Sequence, residues 1–546
     1  MHRYDKSEAK VITYLPKEIV GEDIHLVKEV ILNENNEYED RINIIKDFKR
    51  PFYVTKPLYR THEDKKESED ISKVNKFYST QSNLEVNVAK RLGIQNINNY
   101  LYRTIRKSQY LYGIDVDSRT YLKHIYMAKN DNALSPYRVG VYDIEFDVLK
   151  SKLIILGLVT RKVLKIGLLK SYSDTMTDTD NKLREMYDRH IPNVDFKQNM
   201  KIEVKVFDNE VDIIRWIFHE ANYCEIDILT GWNIKYDITT ILDILEFNHV
   251  KPEDVFHYDK IPDEYKYFKF IEGKSKKIME SGKASNINIE DRWHIYQMSS
   301  NYQMLDAMNA HRYIRVGTAT IPGGYSLDNI LKFEKISQKL KFDNNTGFKG
   351  LEWHIDMVAN HPDEYVVYNT WDNMSILALD DKTKDLTISL PLLAGVSHPD
   401  IFNSGPKRIV DALTFFYLAN NKVLGVREIG GSNEKLLGLS GWIITLQAYL
   451  LETSGIDILE NMNVFLTTIH SYVYDSDQVS GYPSNTMATN VSKDTTHMEI
   501  IDIIDKDKLL FILQNMNLMY GKTNALEYCQ RMFDMPTIYE NLKKIR

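Results

Sequence analysis

The sequence predicts a mixed α/β fold, and three observations carry that expectation. From Val139 the residues alternate, with Val139, Val141, Asp143, Glu145 and Asp147 on one face and Tyr142, Ile144, Phe146 and Val148 on the other, which is the period-two pattern of a strand. Two further β-rich runs, Leu153 to Thr160 and Val163 to Leu169, follow after short charged breaks and predict an antiparallel meander. Beyond the break at Thr230-Gly231-Trp232-Asn233, the residues Ile238, Ile241, Leu242 and Leu245 recur at i, i+3, i+4 and i+7 and predict a helix beginning near Asp237.

A chain of 546 residues, 43% apolar and 27% charged, has material for two or three globular domains. The first 135 or so residues mix short strand-like and helix-like runs, with a polar tract from Arg60 to Glu67, and carry no evident chemistry. Ser171 to Asn181, rich in Ser, Thr and Asp, reads as an exposed loop. The stretch from Tyr265 to Ser285 is rich in lysine and punctuated by glycine, which suits a solvated hairpin or loop. No run approaches the ~20 apolar residues of a membrane span, and Met1 to Asp5 lacks the apolar core of a signal peptide, so an intracellular protein is expected. The two cysteines, Cys224 and Cys529, stand far apart without metal-ligand spacing and read as small buried side chains. A formal charge of −8 argues against a general nucleic-acid coat, although an enzyme needs positive charge only along its groove.

Three acidic sites stand out from this background. Asp143 and Glu145 lie two apart on the first strand, so they project to the same side and could share a metal. Such a pair more often decorates a solvated strand face. Asp237 stands where a helix N-cap belongs, and capping alone would explain it. Tyr368 and Asp372 are four apart in a segment of helical pattern, Glu364 to Asp372, and so share a helix face. A buried tyrosine beside a surface aspartate accounts for that pair equally well.

Together these elements resemble the DEDDy proofreading exonucleases in order and spacing. Asp143-Ile144-Glu145 is similar to their first motif, Asn233-Ile234-Lys235-Tyr236-Asp237 to the second, and Tyr368-Asn369-Thr370-Trp371-Asp372 to the third. The resemblance implies an RNase H-like exonuclease domain in which Asp143, Glu145, Asp237 and Asp372 bind two Mg²⁺ or Mn²⁺ ions and Tyr368 orients the attacking water. Hard divalent ions prefer oxygen ligands, and without them four clustered carboxylates would repel and some would protonate. Asn233 is expected to help at the DNA strand or at the local turn. Lys274, Lys276 and Lys277 are the candidates for DNA phosphate contacts.

Downstream, Phe402 to Ala412 weakly resembles the stretch leading into the palm of T-even-type phage polymerases. Asp477-Gln478-Val479-Ser480-Gly481-Tyr482-Pro483-Ser484 resembles motif A of family B DNA polymerases, with Gly481 in place of the usual leucine. That likeness implies that Asp477 ligates two catalytic ions, that Ser480 lies beside the incoming nucleotide, and that Tyr482 packs under its sugar. An acidic strand end running into a Gly-Tyr-Pro turn is the alternative, which the downstream position of the segment disfavours. Asp178-Thr179-Asp180 looks like motif C but lies upstream of motif A, and Asn517 to Gly521 looks like the end of motif B but has Leu513 where a lysine belongs. Neither is taken as the motif, and Asp147 and Asp475 receive no role.

The resemblance divides the chain into an N-terminal domain, 1–137, an exonuclease domain, 138–385, and a partial palm, 386–546. It implies the N-terminal subunit of a split phage DNA-directed DNA polymerase of family B, acting in DNA replication in the cytoplasm of an infected bacterium. The implied partners are primer-template DNA, a single-stranded 3′ end, dNTP once assembled, a second polymerase chain with fingers, motifs B and C and thumb, and a sliding clamp; no membrane is involved. A stand-alone 3′→5′ exonuclease with a non-catalytic palm remnant, and a non-enzymatic DNA-binding or assembly subunit, are the alternatives.

Overall fold

A computed structural model describes residues 6–32, 38–63, 65–94, 101–129, 135–176, 179–278, 284–316, 321–340, 342, 348, 350–390, 405–426, 481–488, 519–520 and 523–524. Met1–Ile429 forms one compact unit and Gly430–Arg546 a second. The mixed α/β class expected from the sequence is observed. Among the described residues no helix is long and apolar enough to cross a membrane.

The first unit is organised by a six-stranded sheet. Its strands are β1 (Val139–Asp147), β2 (Lys152–Val159), β3 (Val163–Leu169), β4 (Lys201–Phe207), β5 (Ile228–Gly231) and β6 (Gln303–Asp306), in the order β4-β3-β2-β1-β5-β6. β1, β2 and β3 form the expected antiparallel meander, while β4 joins β3, β5 joins β1 and β6 joins β5 in parallel. Asp147 accepts from the backbone N–H groups of Leu149 and Lys150, so it stabilises the turn from β1 into β2.

Helices cover both faces, because both faces of the central strands are apolar or lined by functional side chains. α1 (Glu210–Tyr223) packs on one face, where Phe218 meets Tyr142 edge-on with ring centroids 5.4 Å apart. α4 (Pro362–Thr383) lies on the other, where Asn369 reaches Asp143. The alternation read from the sequence thus sorts Tyr142 and Asp143 onto opposite faces, and a bulge between Glu145 and Phe146 interrupts it beyond them. Gly157, opposite Asp143 in register, sets how near α4 can come, since a Cβ there would stand 2.6 Å from Asn369 Oδ1 and 2.9 Å from Asn373 Nδ2. The core joins Val141, Leu156, Ile166, Ile214, Phe218, Ile241 and Trp371.

α2 (Lys235–Phe247) is the expected helix after Asn233, but it starts two residues before Asp237. Asp237 is therefore the third helical residue and not the N-cap. The Ser171 to Asn181 loop is a second correction. Lys170–Ser173 is a helical turn that buries Tyr172, and a helix runs from Thr179 to His190, because the apolar residues Leu183, Met186, Tyr187 and Ile191 give that segment a face to bury. Only the second half of the lysine-rich stretch is a solvated hairpin, Lys276–Ile278 paired to Ala284–Asn286, whereas Tyr265 is buried and Phe268–Ile271 pairs with Ile295–Met298 because Phe268 and Phe270 pack on the core. Cys224 is half-buried, where the sequence suggested full burial.

Ahead of the large sheet, Lys6–Leu15, Ile24–Leu32 and Tyr38–Lys46 form one antiparallel sheet, and Arg50–Thr55, Val74–Ser79 and Leu111–Tyr112 another. Lys422–Leu424 pairs with Ser68–Asp70, which ties the segment after the helix Gly405–Ala419 to the N-terminal region. In the second unit, Gly481–Ala488 is helical and Met519–Tyr520 pairs with Thr523–Asn524. Tyr482 falls in that helix, and Asp477 and Ser480 lie outside the described residues.

Candidate active site

Three segments bring the four acidic residues together. Asp143 and Glu145 come from the far half of β1, Asp237 from the first turn of α2, and Asp372 from the middle of α4. Glu145, Asp237 and Asp372 are buried and Asp143 is half-buried. The placement of Asp237 depends on a local device. Asn233 adopts a left-handed conformation with φ of 60°, one that asparagine tolerates better than most residues, and its backbone N–H donates to Asp306 Oδ1 at 3.2 Å. The same oxygen caps α3 (Ala307–Ile314) by accepting from Met308 N at 2.8 Å. Asp306 thereby fixes the turn from which α2 departs.

Three of the four carboxylates have a side-chain partner, each a different one. Asn369 Nδ2 donates to Asp143 Oδ2 at 2.9 Å. The Tyr365 hydroxyl donates to Glu145 Oε2, and His354 Nδ1 lies 2.7 Å from the same hydroxyl. With the tyrosine proton committed to Glu145, the imidazole N–H is the donor in that second contact. Lys339 Nζ meets Asp372 Oδ2 at 2.5 Å and donates to the Tyr368 hydroxyl at 2.9 Å. Tyr365, Asn369 and Asp372 follow Helix spacing on α4, as do Tyr368 and Asp372, so one face of the helix supplies the wall of the site.

The electrostatics mark the four acids as one cluster. Burial, then the Asp372 charge, pushes Asp143 up to about 7. Burial followed by the Asp143 charge raises Glu145 well above its ordinary range, and burial followed by Asp143, Glu145 and Asp306 does the same to Asp237. Burial raises Asp372 against the opposing Lys339 charge. For Lys339 burial works downward, but Asp372 and Tyr368 outweigh it and the ammonium is held more firmly protonated. A cavity of about 620 Å³ opens beside the cluster, lined among others by Asp143, Asp372, Lys339, Asn233, Trp232, Tyr325 and Arg312.

Among the described residues no three His, Cys, Asp or Glu side chains converge as a ready-made metal-ligand set. The donor chemistry nevertheless fits a hard divalent cation. The oxygens are carboxylates whose ionisation is opposed by one another, and Asp372 Oδ1 is buried with no hydrogen-bond partner.

Asp143, Glu145, Asp237, Tyr368 and Asp372 are thus brought to one place, with Asn233 at its rim. Lys274, Lys276 and Lys277 stand on the exposed hairpin region, and none of them lines the cavity. Sequence reasoning passed over Lys339, Tyr365, Asn369, His354 and Asp306. Asn369 sits inside the third motif and Tyr365 lies one helical turn ahead of Tyr368, so helix periodicity could have found both. Lys339 had no local signal at all, because its segment meets Asp372 only through the tertiary fold.

A comparison with curated proteins finds no match to the chain. A family model described as DNA polymerase family B, exonuclease domain, matches residues 85–295. That span includes Asp143, Glu145, Asn233 and Asp237, and Tyr368 and Asp372 lie beyond it. Over residues 85–295 the mixed α/β protein is thus similar to a family B DNA polymerase exonuclease domain, a domain of RNase H-like fold.

Proposed function

We propose that the chain is a 3′→5′ DNA exonuclease that removes mononucleotides from a single-stranded 3′ end. The observation that carries this reading is the meeting of Asp143, Glu145, Asp237 and Asp372, from three segments, in one mutually repelling cluster beside a cavity that also presents Lys339. These carboxylates would hold Mg²⁺ or Mn²⁺, two ions per site. When bound, the ions activate water and stabilise the departing 3′-oxygen of the phosphodiester.

The chain's own residues divide the remaining work. Tyr368 accepts a hydrogen bond from Lys339, which leaves its own proton to be directed at Asp372 or at a water in the cavity. Asn369 and Tyr365 keep Asp143 and Glu145 in place by hydrogen bonds to one oxygen each. Lys339 offsets part of the negative charge that would otherwise repel a DNA phosphate. The test is release of labelled mononucleotide from 3′-labelled single-stranded DNA with Mg²⁺. Asp143→Ala and Asp372→Ala should each abolish it, and unchanged release in both would defeat the assignment.

The finer reading is a replicative phage-type DNA polymerase subunit in the cytoplasm of an infected bacterium. Its support is the likeness of 477–484 to motif A, with Asp477 as ion ligand and Ser480 and Tyr482 beside the incoming nucleotide. In that reading a second chain completes the polymerase site with motifs B and C, and the exonuclease proofreads. Primer extension should then require the second chain. Extension by this chain alone would defeat the two-chain form, and exonuclease activity without extension in any mixture would favour the stand-alone exonuclease.

A further inference from the structure

The cavity beside the carboxylates presents an arginine with an unusual bonding state. Arg312, on α3, lines the cavity together with Asp143 and Asp372 and is half-buried. Its guanidinium lies 4.4 Å from the ring centroid of Tyr325 and its charge acts on the buried Asp306, yet among the described residues it forms no ion pair within 4.0 Å and no hydrogen bond to an acidic side chain. Arg138, Arg161 and Arg315, by contrast, each bind carboxylates at 2.7–2.8 Å. A half-buried guanidinium that stacks on an aromatic ring keeps its in-plane N–H donors free for a planar or tetrahedral oxyanion.

The wall behind it is braced. Trp232 Nε1 donates to the Tyr325 carbonyl at 3.0 Å, and the buried His311 ring packs edge-on between Trp232 and Tyr325, with centroids 6.1 Å and 6.2 Å away. Trp232 immediately precedes Asn233, so the brace is continuous with the turn that places Asp237. The arginine's position relative to the acidic cluster is therefore fixed by the same elements.

We propose that Arg312 is a strand-binding residue that grips a DNA backbone phosphate next to the nucleotide being removed, and so sets the preference for a polynucleotide over a mononucleotide ester. The proposal rests on the exonuclease reading for which bond is cut, but the phosphate contact can be measured without any cleavage. Electrostatics require such a contact, since a site built on four carboxylates repels an incoming polyanion and needs fixed positive charge along the strand's path. Arg312 would act by positioning, as it touches the strand away from the reacting atoms.

The experiment compares the full chain with Arg312→Ala and Arg312→Lys. Fluorescence anisotropy of a labelled oligothymidylate, in EDTA and over a range of NaCl, reads binding with no turnover. Arg312→Ala should weaken binding about tenfold and flatten the log–log salt slope by about 0.7, the loss of one single-strand phosphate contact, while Arg312→Lys restores most of the slope. Hydrolysis of thymidine 5′-(p-nitrophenyl phosphate), which lacks the neighbouring phosphate, should keep its kcat and KM within about twofold in all three proteins, whereas KM for the oligonucleotide rises about tenfold in Arg312→Ala. Unchanged affinity and slope in Arg312→Ala overturns the proposal. So does an equal loss in Arg312→Lys together with a lowered Tm, which would make the arginine a packing residue. If the unsubstituted chain cleaves neither substrate, the exonuclease reading falls, and the anisotropy arm still decides the phosphate contact.

Discussion

At Asp143, burial and the Asp372 charge push the carboxyl up to about 7. An unfolded aspartate ionises near pH 4, so between about pH 4 and about pH 7 the folded chain keeps a proton that the unfolded chain has lost. Stability of the metal-free protein therefore falls as pH rises through that window. A divalent cation bound by the ionised cluster offsets the repulsion. Mn²⁺ should accordingly raise Tm more at about pH 8 than at about pH 5, as read by calorimetry of the full chain. Equal increments at the two pH values would count against the cluster as the binding site. Two tyrosines one helical turn apart should separate by kinetics. Tyr368→Phe removes a hydroxyl held by Lys339 beside Asp372 and should lower the rate about a hundredfold while sparing single-strand affinity. Tyr365→Phe removes the donor to Glu145 and should weaken activation by Mn²⁺ about 10- to 100-fold, seen as a shift in the metal titration.

Among the elements, α4 and β2 decide whether the site closes. Their approach is set at Gly157, where any side chain would run into Asn369 and Asn373. Gly157→Ala should therefore push α4 outward, at a cost of about 1–3 kcal/mol in urea unfolding, and loosen the hold of Asn369 on Asp143. Exonuclease rate should drop more than oligonucleotide binding does. A variant with normal stability and rate would mean that the helix yields there without disturbing the acids. The start of α4 is sharply defined by Pro362, whose ring fixes φ and whose missing N–H is not needed in the first turn.

Across the first unit, the N-terminal sheet and the large sheet are fastened by buried charges. Lys28 on the strand Ile24–Leu32 lies 2.8 Å from Asp227 and donates to the Ile226 carbonyl at 2.6 Å, and Arg138 binds the same aspartate at 2.8 Å. Burial opposes the ionisation of Asp227, but the Lys28 and Arg138 charges outweigh it and hold the carboxyl well below its ordinary range. Its contribution is therefore present above about pH 4 and lost as pH falls below that. Asp227→Asn leaves the buried Lys28 and the half-buried Arg138 with Asp40 as their acidic partner among the described residues and should cost about 3–5 kcal/mol near neutral pH, with the difference from the unsubstituted chain shrinking in acid. Urea unfolding at several pH values checks both the size and the trend.

The strand at 139–147, the meander that follows it, the helix after Asn233 and the helix carrying Tyr368 and Asp372 were all legible, because periodic burial writes itself into local sequence. The acids were legible too, as chemically costly residues at fixed local positions. Four things were not. The helix from Thr179 was hidden under polar composition, since its few apolar residues matter only once a neighbouring surface exists to bury them. The N-cap role expected of Asp237 fell to no side chain, and Asp306, distant in sequence, holds the turn in its place. Gly157 and Asn369 meet only when α4 lies across β2. Lys339 carries no local pattern, and its pairing with Asp372 arises where two segments are folded together. The sequence by itself thus determined which elements form and which residues bear charge, since both depend on near neighbours along the chain. Only the tertiary structure decided which charges are paired, because pairing depends on distances between segments that the chain leaves free until they pack.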